Sequence, residues 1–253
     1  MAALVSLQRL VKRFADVTAV DGISLDVAEG EVLGFLGPNG AGKSTTMKIA
    51  TGFLPPDSGQ AFICGHDVAR APKAAKRALG YLPEGAPAYG EMTPHAFLGF
   101  VADIRGLTGQ ARRHALDRAM GLTELETVAE QPIETLSKGF KRRVGIAQAI
   151  LHDPPVLILD EPTDGLDPNQ KHQVRRLIAE MAPRKAIIIS THILEEVDAV
   201  CTRAVIIARG RVVADGTADE LRRLVPGQAG SAVSLDDAFR KLTMTDDGGA
   251  IRA

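Results

Sequence analysis

Three features of the sequence predict an α/β fold with a mostly parallel sheet and a helical lobe inserted into it. Strand-like apolar runs alternate with helical patterns up to about residue 82 and again from residue 156. A glycine-rich turn at residues 37–44 joins one of those strands to a helix. Between Pro83 and Pro155 the alternation gives way to helices alone. The 253 residues are enough for one large domain, or a domain with an inserted lobe, and for a sizeable core.

The elements follow in order. Strands are expected over 4–10, through the alternating Ile23, Leu25 and Val27, and over 32–36. A helix should cover 43–51, a strand 60–63, and a further strand 79–82 after a basic, alanine-rich segment around Lys73, Lys76 and Arg77. In the lobe, Thr93-Pro94 offers an N-cap and an N1 proline to a helix reaching Gly106. A second helix should span 111–120 and stop at Gly121; a third should run from Ser137 to about Leu151, ended by His152-Asp153-Pro154-Pro155. Alternation resumes with a strand over 156–159 and a helix from a capping box, Asp167-Pro168-Asn169-Gln170, to about Met181. A strand over 186–189, a helix over 192–200 and a strand over 204–208 come next. Thr217-Ala218-Asp219-Glu220 is a second capping box, for a helix ending near Pro226. Residues 227–233 read as a linker, 234–242 as a short closing helix and 243–253 as a frayed tail.

Composition excludes several classes. Apolar residues make up 45% and charged residues 24%, with 30 basic against 31 acidic side chains, so neither disorder nor a polybasic nucleic-acid coat is expected. Cys64 and Cys201 are far apart and lack metal-site spacing, which fits a reducing compartment, and both are expected to be buried as small hydrophobes. Apolar runs such as Val156-Leu157-Ile158-Leu159 fall short of the ~20 residues needed to cross a bilayer. Residues 1–7 hold no basic residue, so no cleavable signal peptide is expected and the chain should stay in the cytoplasm.

Gly37-Pro38-Asn39-Gly40-Ala41-Gly42-Lys43-Ser44 satisfies the phosphate-loop pattern G-x-x-x-x-G-K-[ST] between an apolar strand and a helix. Small residues are needed there because backbone N–H groups must wrap phosphate oxygens at the positive end of a helix. Lys43 would reach the β- and γ-phosphates, and Ser44 would ligate Mg²⁺. A second apolar strand ends in Asp160-Glu161. Asp160 is the candidate Mg²⁺ contact at the C-terminal end of a parallel strand. Glu161, pointing the other way by strand alternation, is the candidate base that orients water. The asparagines, Asn39 and Asn169, are not followed by lysine, so a guanine reader is not found. A carboxylate pair poised for water favours hydrolysis over the phosphoryl transfer of small-molecule kinases, which leaves an ATPase.

Leu136-Ser137-Lys138-Gly139-Phe140, standing between these two motifs, resembles the signature of ABC-transporter ATPases, and the resemblance covers nearly the whole chain. Read from the residues alone, Ser137 is a helix N-cap and Gly139 lies in the first turn. The resemblance implies a phosphate-loop NTPase core with an N-terminal antiparallel β portion, over 1–84 and 155–226. It also implies an α-helical lobe over 85–154 and a short C-terminal appendage over 227–253. It implies ATP and Mg²⁺ held by residues 37–45, Thr45 included, and head-to-tail cassette pairs in which Ser137 and Gly139 serve the partner's ATP. Phe14 falls at the adenine-stacking position, a role that competes with ordinary packing. His192 matches the switch histidine, and Asp164-Gly165-Leu166-Asp167 the loop that crosses the dimer interface, with Asp167 also explained as a helix cap. Glu84 stands where glutamine is usual, as a Mg²⁺ or water ligand.

The family consensus is LSGGQ, and this chain departs from it at Lys138 and Phe140; Asp164 stands where serine is common. The Pro83-Glu84 form, the Ser-Lys-Gly-Phe signature and the closing segment 234–243 together look like type-2 exporters, whose cassettes energise separate membrane-spanning permease subunits. The expected protein is therefore an ATPase subunit at the cytoplasmic face of the cell membrane, paired with a second cassette taken as its own copy. The rival reading is a soluble ABC protein acting on ribosomes or DNA. Against it, one cassette is present where translation factors have two, no long coiled coil is found, and no basic excess points to nucleic acid.

Overall fold

A computed structural model describes residues 3–224, 234–244 and 251–252. Two sheets organise them. The N-terminal sheet is antiparallel: β1 (Ala3–Phe14), β2 (Val17–Ala28), β4 (Ser58–Ile63) and β5 (His66–Asp67) stand in the order β2-β1-β4-β5. The larger sheet has the order β11-β10-β9-β3-β8-β7-β6. Five of its strands are mutually parallel: β3 (Val32–Leu36), β6 (Leu79–Leu82), β7 (Val156–Asp160), β8 (Ala186–Thr191) and β9 (Arg203–Ala208). Every residue of β3, β7 and β8 is buried, which is why β3 and the stretches 156–159 and 186–189 read as apolar runs rather than alternations, with the polar Asp160, Ser190 and Thr191 at the strand ends.

One face of this sheet carries Leu33, Phe35, Ile158 and Ile188 into a core shared with the antiparallel sheet and helix α1 (Lys43–Ala50). The other face packs Leu157, Leu159, Ile187 and Ile189 against the inserted helices α3 (Pro94–Ile104), α4 (Gly109–Leu122) and α5 (Lys138–Ile150) and against α6 (Pro168–Met181). A satellite core joins Ile206 and Ala214 to α8 (Ala218–Arg223) and α9 (Leu235–Met244). From β3 the chain crosses to the β6 edge, works back to β8, and then continues on the far side of β3 with β9. The strand order therefore reverses beside β3, and that is where open α/β sheets leave a crevice at their C-terminal ends.

The expected caps form: Thr93 accepts from the Ala96 N–H, Ser137 from Phe140, and the boxes at Asp167 and Thr217 close in both directions. Several expectations are corrected. Helix α4 runs past Gly121 to Leu122, and the turn is instead made by Glu124 with a left-handed φ of 53°. Helix α7 (Leu194–Val200) starts two residues after His192, so His192 lies on the loop following β8. Neither cysteine is fully buried; both are partly exposed. The strands β5 and β10 (Arg211–Gly216) and the short helix α2 (Pro72–Arg77) were not expected as such. Within the expected frayed tail, α9 continues to Met244, and β11 (Ile251–Arg252) pairs parallel to β10. The expected linker over 227–233 lies outside the described residues, as does the helix end near Pro226.

The link from the helical segment back to the sheet carries a pH-dependent contact. His152 follows α5, and its Nε2 lies 3.1 Å from the Leu79 carbonyl oxygen. A carbonyl only accepts, so Nε2 carries the proton; Nδ1 is buried without a partner. Burial first, then the nearby Arg105 cation with Lys185 and Arg118, pushes the His152 pKa from 6.5 down to about 4, against the Leu79 bond. The unfolded chain thus takes up this proton before the folded chain does. The contribution is whole above pH 6.5 and is lost as pH falls toward 4. The loss is about 3 kcal/mol at most. Calorimetric unfolding midpoints should fall more steeply from about pH 7 to 4.5 in the wild type than in His152→Gln. Equal slopes would refute the assignment.

Candidate functional site

The glycine-rich loop is built by close backbone approach. A Cβ at Gly37 would lie 2.6 Å from the Ile207 carbonyl oxygen, and one at Gly42 only 2.2 Å from that of Ala19. Gly42 also has φ 103°, the left-handed region open mainly to glycine. Gly40, with φ 79°, faces open space, as a residue under an incoming ligand should. The loop is fixed from behind, where the Gly210 N–H donates to the Ala41 carbonyl and the Asp21 N–H donates to the Gly210 carbonyl. Gly210, in the β9–β10 turn, is a supporting position that sequence reading missed; its signal would have been the Arg209-Gly210 turn dipeptide.

Helix α1 begins at Lys43, so Ser44, Thr45 and the loop N–H groups sit at its positive end; Pro38 has no N–H, and its carbonyl accepts from the Ala41 N–H at 3.1 Å across Asn39. Lys43 is nearly buried, and its Nζ donates to the carbonyls of Gly37 (2.7 Å) and Pro38 (3.1 Å). Burial pushes this ammonium down from its ordinary range, while Glu161, Asp160 and Glu84 oppose that shift. Lys43 is thus one of two buried cations, with Arg142, on which these three carboxylates act. Asp160 is itself pushed up, by burial first and then by Glu84 and Glu161. Tyr81 on β6 is pushed up to about 12 by burial and by Asp160 and Glu84. Asp160, Glu84 and the Ser44 hydroxyl are hard oxygen donors of the kind Mg²⁺ takes, although among the described residues no three carboxylate, histidine or cysteine side chains are grouped so as to hold a metal ion by themselves.

Glu161 does not continue the strand alternation by which its direction was expected. It lies one residue beyond β7 with φ 50°, so a left-handed turn rather than the pleat aims its side chain. Its N–H donates to the Ser190 carbonyl on β8, and its Oε1 accepts from His192 Nδ1 at 2.9 Å. Two residues expected to act on one reacting group are therefore in direct contact. Phe14 ends β1 and is 48% exposed, with the Lys12 ammonium 5.8 Å from its ring centre.

Ser137 caps α5, its Oγ accepting from the Phe140 N–H at 3.3 Å. Gly139 is pressed against Gln170, where a Cβ would lie 2.5 Å from the side-chain amide. Since Gln170 is the capping-box partner of Asp167, the starts of α5 and α6 are built against one another. The two departures from consensus at Lys138 and Asp164 meet: Lys138 Nζ lies 3.0 Å from Asp164 Oδ2 and holds that carboxyl below the usual range. Phe140 packs at the edge of the lobe core with the Arg143 guanidinium 5.3 Å from its ring.

The comparisons agree with one another. The family profile described as "ABC transporter" matches residues 20–164. The probable multidrug ABC transporter ATP-binding protein YbhF of Escherichia coli is 34% identical over 94% of this chain, which spans only 41% of the length of YbhF. The Nod factor export ATP-binding protein I of Burkholderia pseudomallei is 38% identical over 91% of this chain and 75% of its own. A solved ATP-binding subunit of an ABC transporter superposes with a TM-score of 0.85 at 34% identity, covering 95% of this chain and 99% of that one.

Proposed function

The chain belongs to the ABC transporter family, and on that premise we propose that it is the ATP-binding and hydrolysing subunit of an exporter, powering separate membrane-spanning subunits. One observation carries the reading: Lys43, Asp160, Glu161 and His192 converge at the C-terminal ends of the adjacent strands β3, β7 and β8. The multidrug and Nod factor export functions named for the relatives support export over other work.

In this reading, the loop between Gly37 and Thr45 binds the phosphates of ATP through those of its N–H groups that are not donated within the loop, and Phe14 stacks on adenine. Lys43 swings from its carbonyl contacts onto the β- and γ-phosphates and stabilises charge on the transferred group. Ser44, Asp160 and Glu84 would hold Mg²⁺, which when bound neutralises phosphate charge. Glu161 orients the attacking water and accepts its proton, while His192, held on Glu161, senses the γ-phosphate. Ser137 and Gly139 complete the ATP site of a second copy. The core comprises 1–84 and 155–226, the lobe 85–154 and the appendage 227–253, with the lobe carrying force to the membrane partner. Among the described residues, no helix is long and apolar enough to cross a membrane. The exposed Tyr89, Phe100 and Ile104 on or beside α3 support a protein partner there and hence attachment at the cytoplasmic membrane face.

Affinity purification of the tagged chain from detergent-solubilised membranes tests this. A polytopic membrane protein is expected to co-purify in stoichiometric amount and to raise ATP turnover. Recovery with ribosomes or DNA-binding proteins instead would overturn the exporter reading.

A further inference from the structure

Helix α5 carries a charged group with no assigned task. Lys138, Arg142 and Gly145 are spaced by four and by three, so they share one stripe of the helix. At the N-terminal end of the stripe, Lys138 binds Asp164 beside Gly165, where a Cβ would lie 2.2 Å from Lys138 Nζ. At the other end, Gly145 is pressed against the β6 exit: a Cβ there would lie 2.6 Å from Leu82 Cδ1 and 2.8 Å from Ala86 Cβ. Leu82 and Ala86 flank Glu84. Arg142 lies between these two contacts and is only 4% exposed.

Its surroundings are acidic. Burial pushes the guanidinium down from its ordinary value, and Asp164, Glu161, Asp160 and Glu84, in that order, pull it back up. Nevertheless Nη1 is fully buried without a hydrogen-bond partner, and no direct ion pair is formed among the described residues. A buried guanidinium that lacks a contact partner yet faces four carboxylates of the site is an unmet donor. Glu161, Asp160 and Glu84 act on Lys43 as well.

We propose that Arg142 is a positioning residue for ATP hydrolysis: its buried guanidinium is the countercharge that holds Glu84 and the Asp164 turn in register with Asp160 and Glu161. This rests on the ATPase reading above. It ties the helix that begins at Ser137 to the phosphate site of the same chain, so that displacement of α5 and displacement of Glu84 become one event. Asp164 acts on the guanidinium most strongly but already has Lys138, whereas among the described residues Glu84 forms no ion pair, so Glu84 is the carboxylate whose dependence on Arg142 is tested.

The test measures steady-state Mg²⁺-ATP hydrolysis, unfolding midpoint and amide exchange of the nucleotide-free chain for the wild type, Arg142→Gln, Arg142→Lys, Glu84→Gln and the double variant Glu84→Gln/Arg142→Gln. Arg142→Gln should lower kcat at least about tenfold with KM within about threefold, the signature of lost positioning rather than lost binding. Arg142→Lys, which keeps the charge, should recover most of that loss. Because the injury is an uncompensated carboxylate, the double variant should be no slower than Arg142→Gln alone. Without nucleotide, exchange of the Ala86 N–H, which donates to the Pro83 carbonyl, should quicken in Arg142→Gln and return toward wild type in the double variant. Independent, multiplying losses in the double variant would overturn the proposal, as would an Arg142→Gln enzyme with wild-type kcat and exchange. A loss matched by an equal fall in the unfolding midpoint of Arg142→Lys would reduce Arg142 to a structural residue. A wild-type chain that hydrolyses no ATP, alone or with its membrane partner, would instead remove the ATPase reading itself.

Discussion

Glu161→Gln is expected to lower ATP turnover at least about a hundredfold, the scale of a lost general base, while nucleotide affinity stays within about threefold. The substitution keeps the shape of the side chain. Its amide oxygen can still accept from His192 Nδ1, 2.9 Å away in the wild type, so the loop after β8 should remain in place. What is lost is the ability to take a proton from water. Lys43 and the Gly37–Gly42 backbone, which carry the proposed phosphate contacts, are untouched. ATP should therefore bind and not be consumed, and the closed pair of cassettes should accumulate. Turnover, titration with a fluorescent ATP analogue and solution mass with Mg²⁺-ATP decide the matter together. Wild-type turnover in Glu161→Gln would require another base; loss of affinity would make Glu161 a binding group.

How much of this was legible in the sequence depends on whether the cause is local. The strands β3, β7 and β8 were legible because burial on both faces writes itself as an apolar run. The caps at Thr93, Ser137, Asp167 and Thr217 were legible because each is a contact across three residues. Strand β10 was not. Its Arg211 and Asp215 look like loop residues, and they are accommodated by distant partners: Arg211 pairs with Asp21, and Asp215 with Arg203, which also holds Glu31. The start of α7 was misplaced because Thr191 Oγ1 accepts from the Ile193 N–H, a turn that delays the helix.

The candidate site divides along the same line. The phosphate loop announces itself, since steric need at Gly37 and Gly42 dictates residue type. The aim of Glu161 does not, because it depends on a left-handed turn whose N–H is held by Ser190 on another strand. Lys138 and Asp164 each looked like an isolated departure from a family pattern, 26 residues apart, and only the fold makes them a pair. Both side chains are largely exposed, so the pair contributes at most about 1 kcal/mol. Arg142 stands in a run of basic residues, Lys141-Arg142-Arg143, which point in different directions around α5, and nothing in the run marks which of them is buried. Its burial follows from the packing of Gly145 against Leu82 and Ala86, which no window of the sequence reports.

The trans role of Ser137 has the second large expected effect, since Ser137→Arg should nearly abolish hydrolysis while leaving ATP binding by the isolated chain intact. In this structure Ser137 serves its own helix, accepting from the Phe140 N–H, and a cap alone accounts for about 1 kcal/mol of stability. The two roles separate in Ser137→Asp, which caps equally well but sets a carboxylate against the partner's phosphates; it should be as inactive as Ser137→Arg. Mixing supplies the stronger separation. In a dimer of Lys43→Ala with Ser137→Arg, both lesions fall in one composite site and the other site is whole. Random exchange at equal ratio makes half the dimers mixed, each with one working site of two, so about a quarter of wild-type activity should return from two inactive proteins. Subunit exchange is followed independently by energy transfer between labelled copies. If exchange is complete and no activity returns while a wild-type/Lys43→Ala mixture retains its share, Ser137 does not act across the interface and is a helix cap alone. If no activity returns and the wild-type/Lys43→Ala mixture retains only the quarter due to its wild-type homodimers, rather than about half, the two sites fire only together, and the Ser137→Asp result alone assigns the residue.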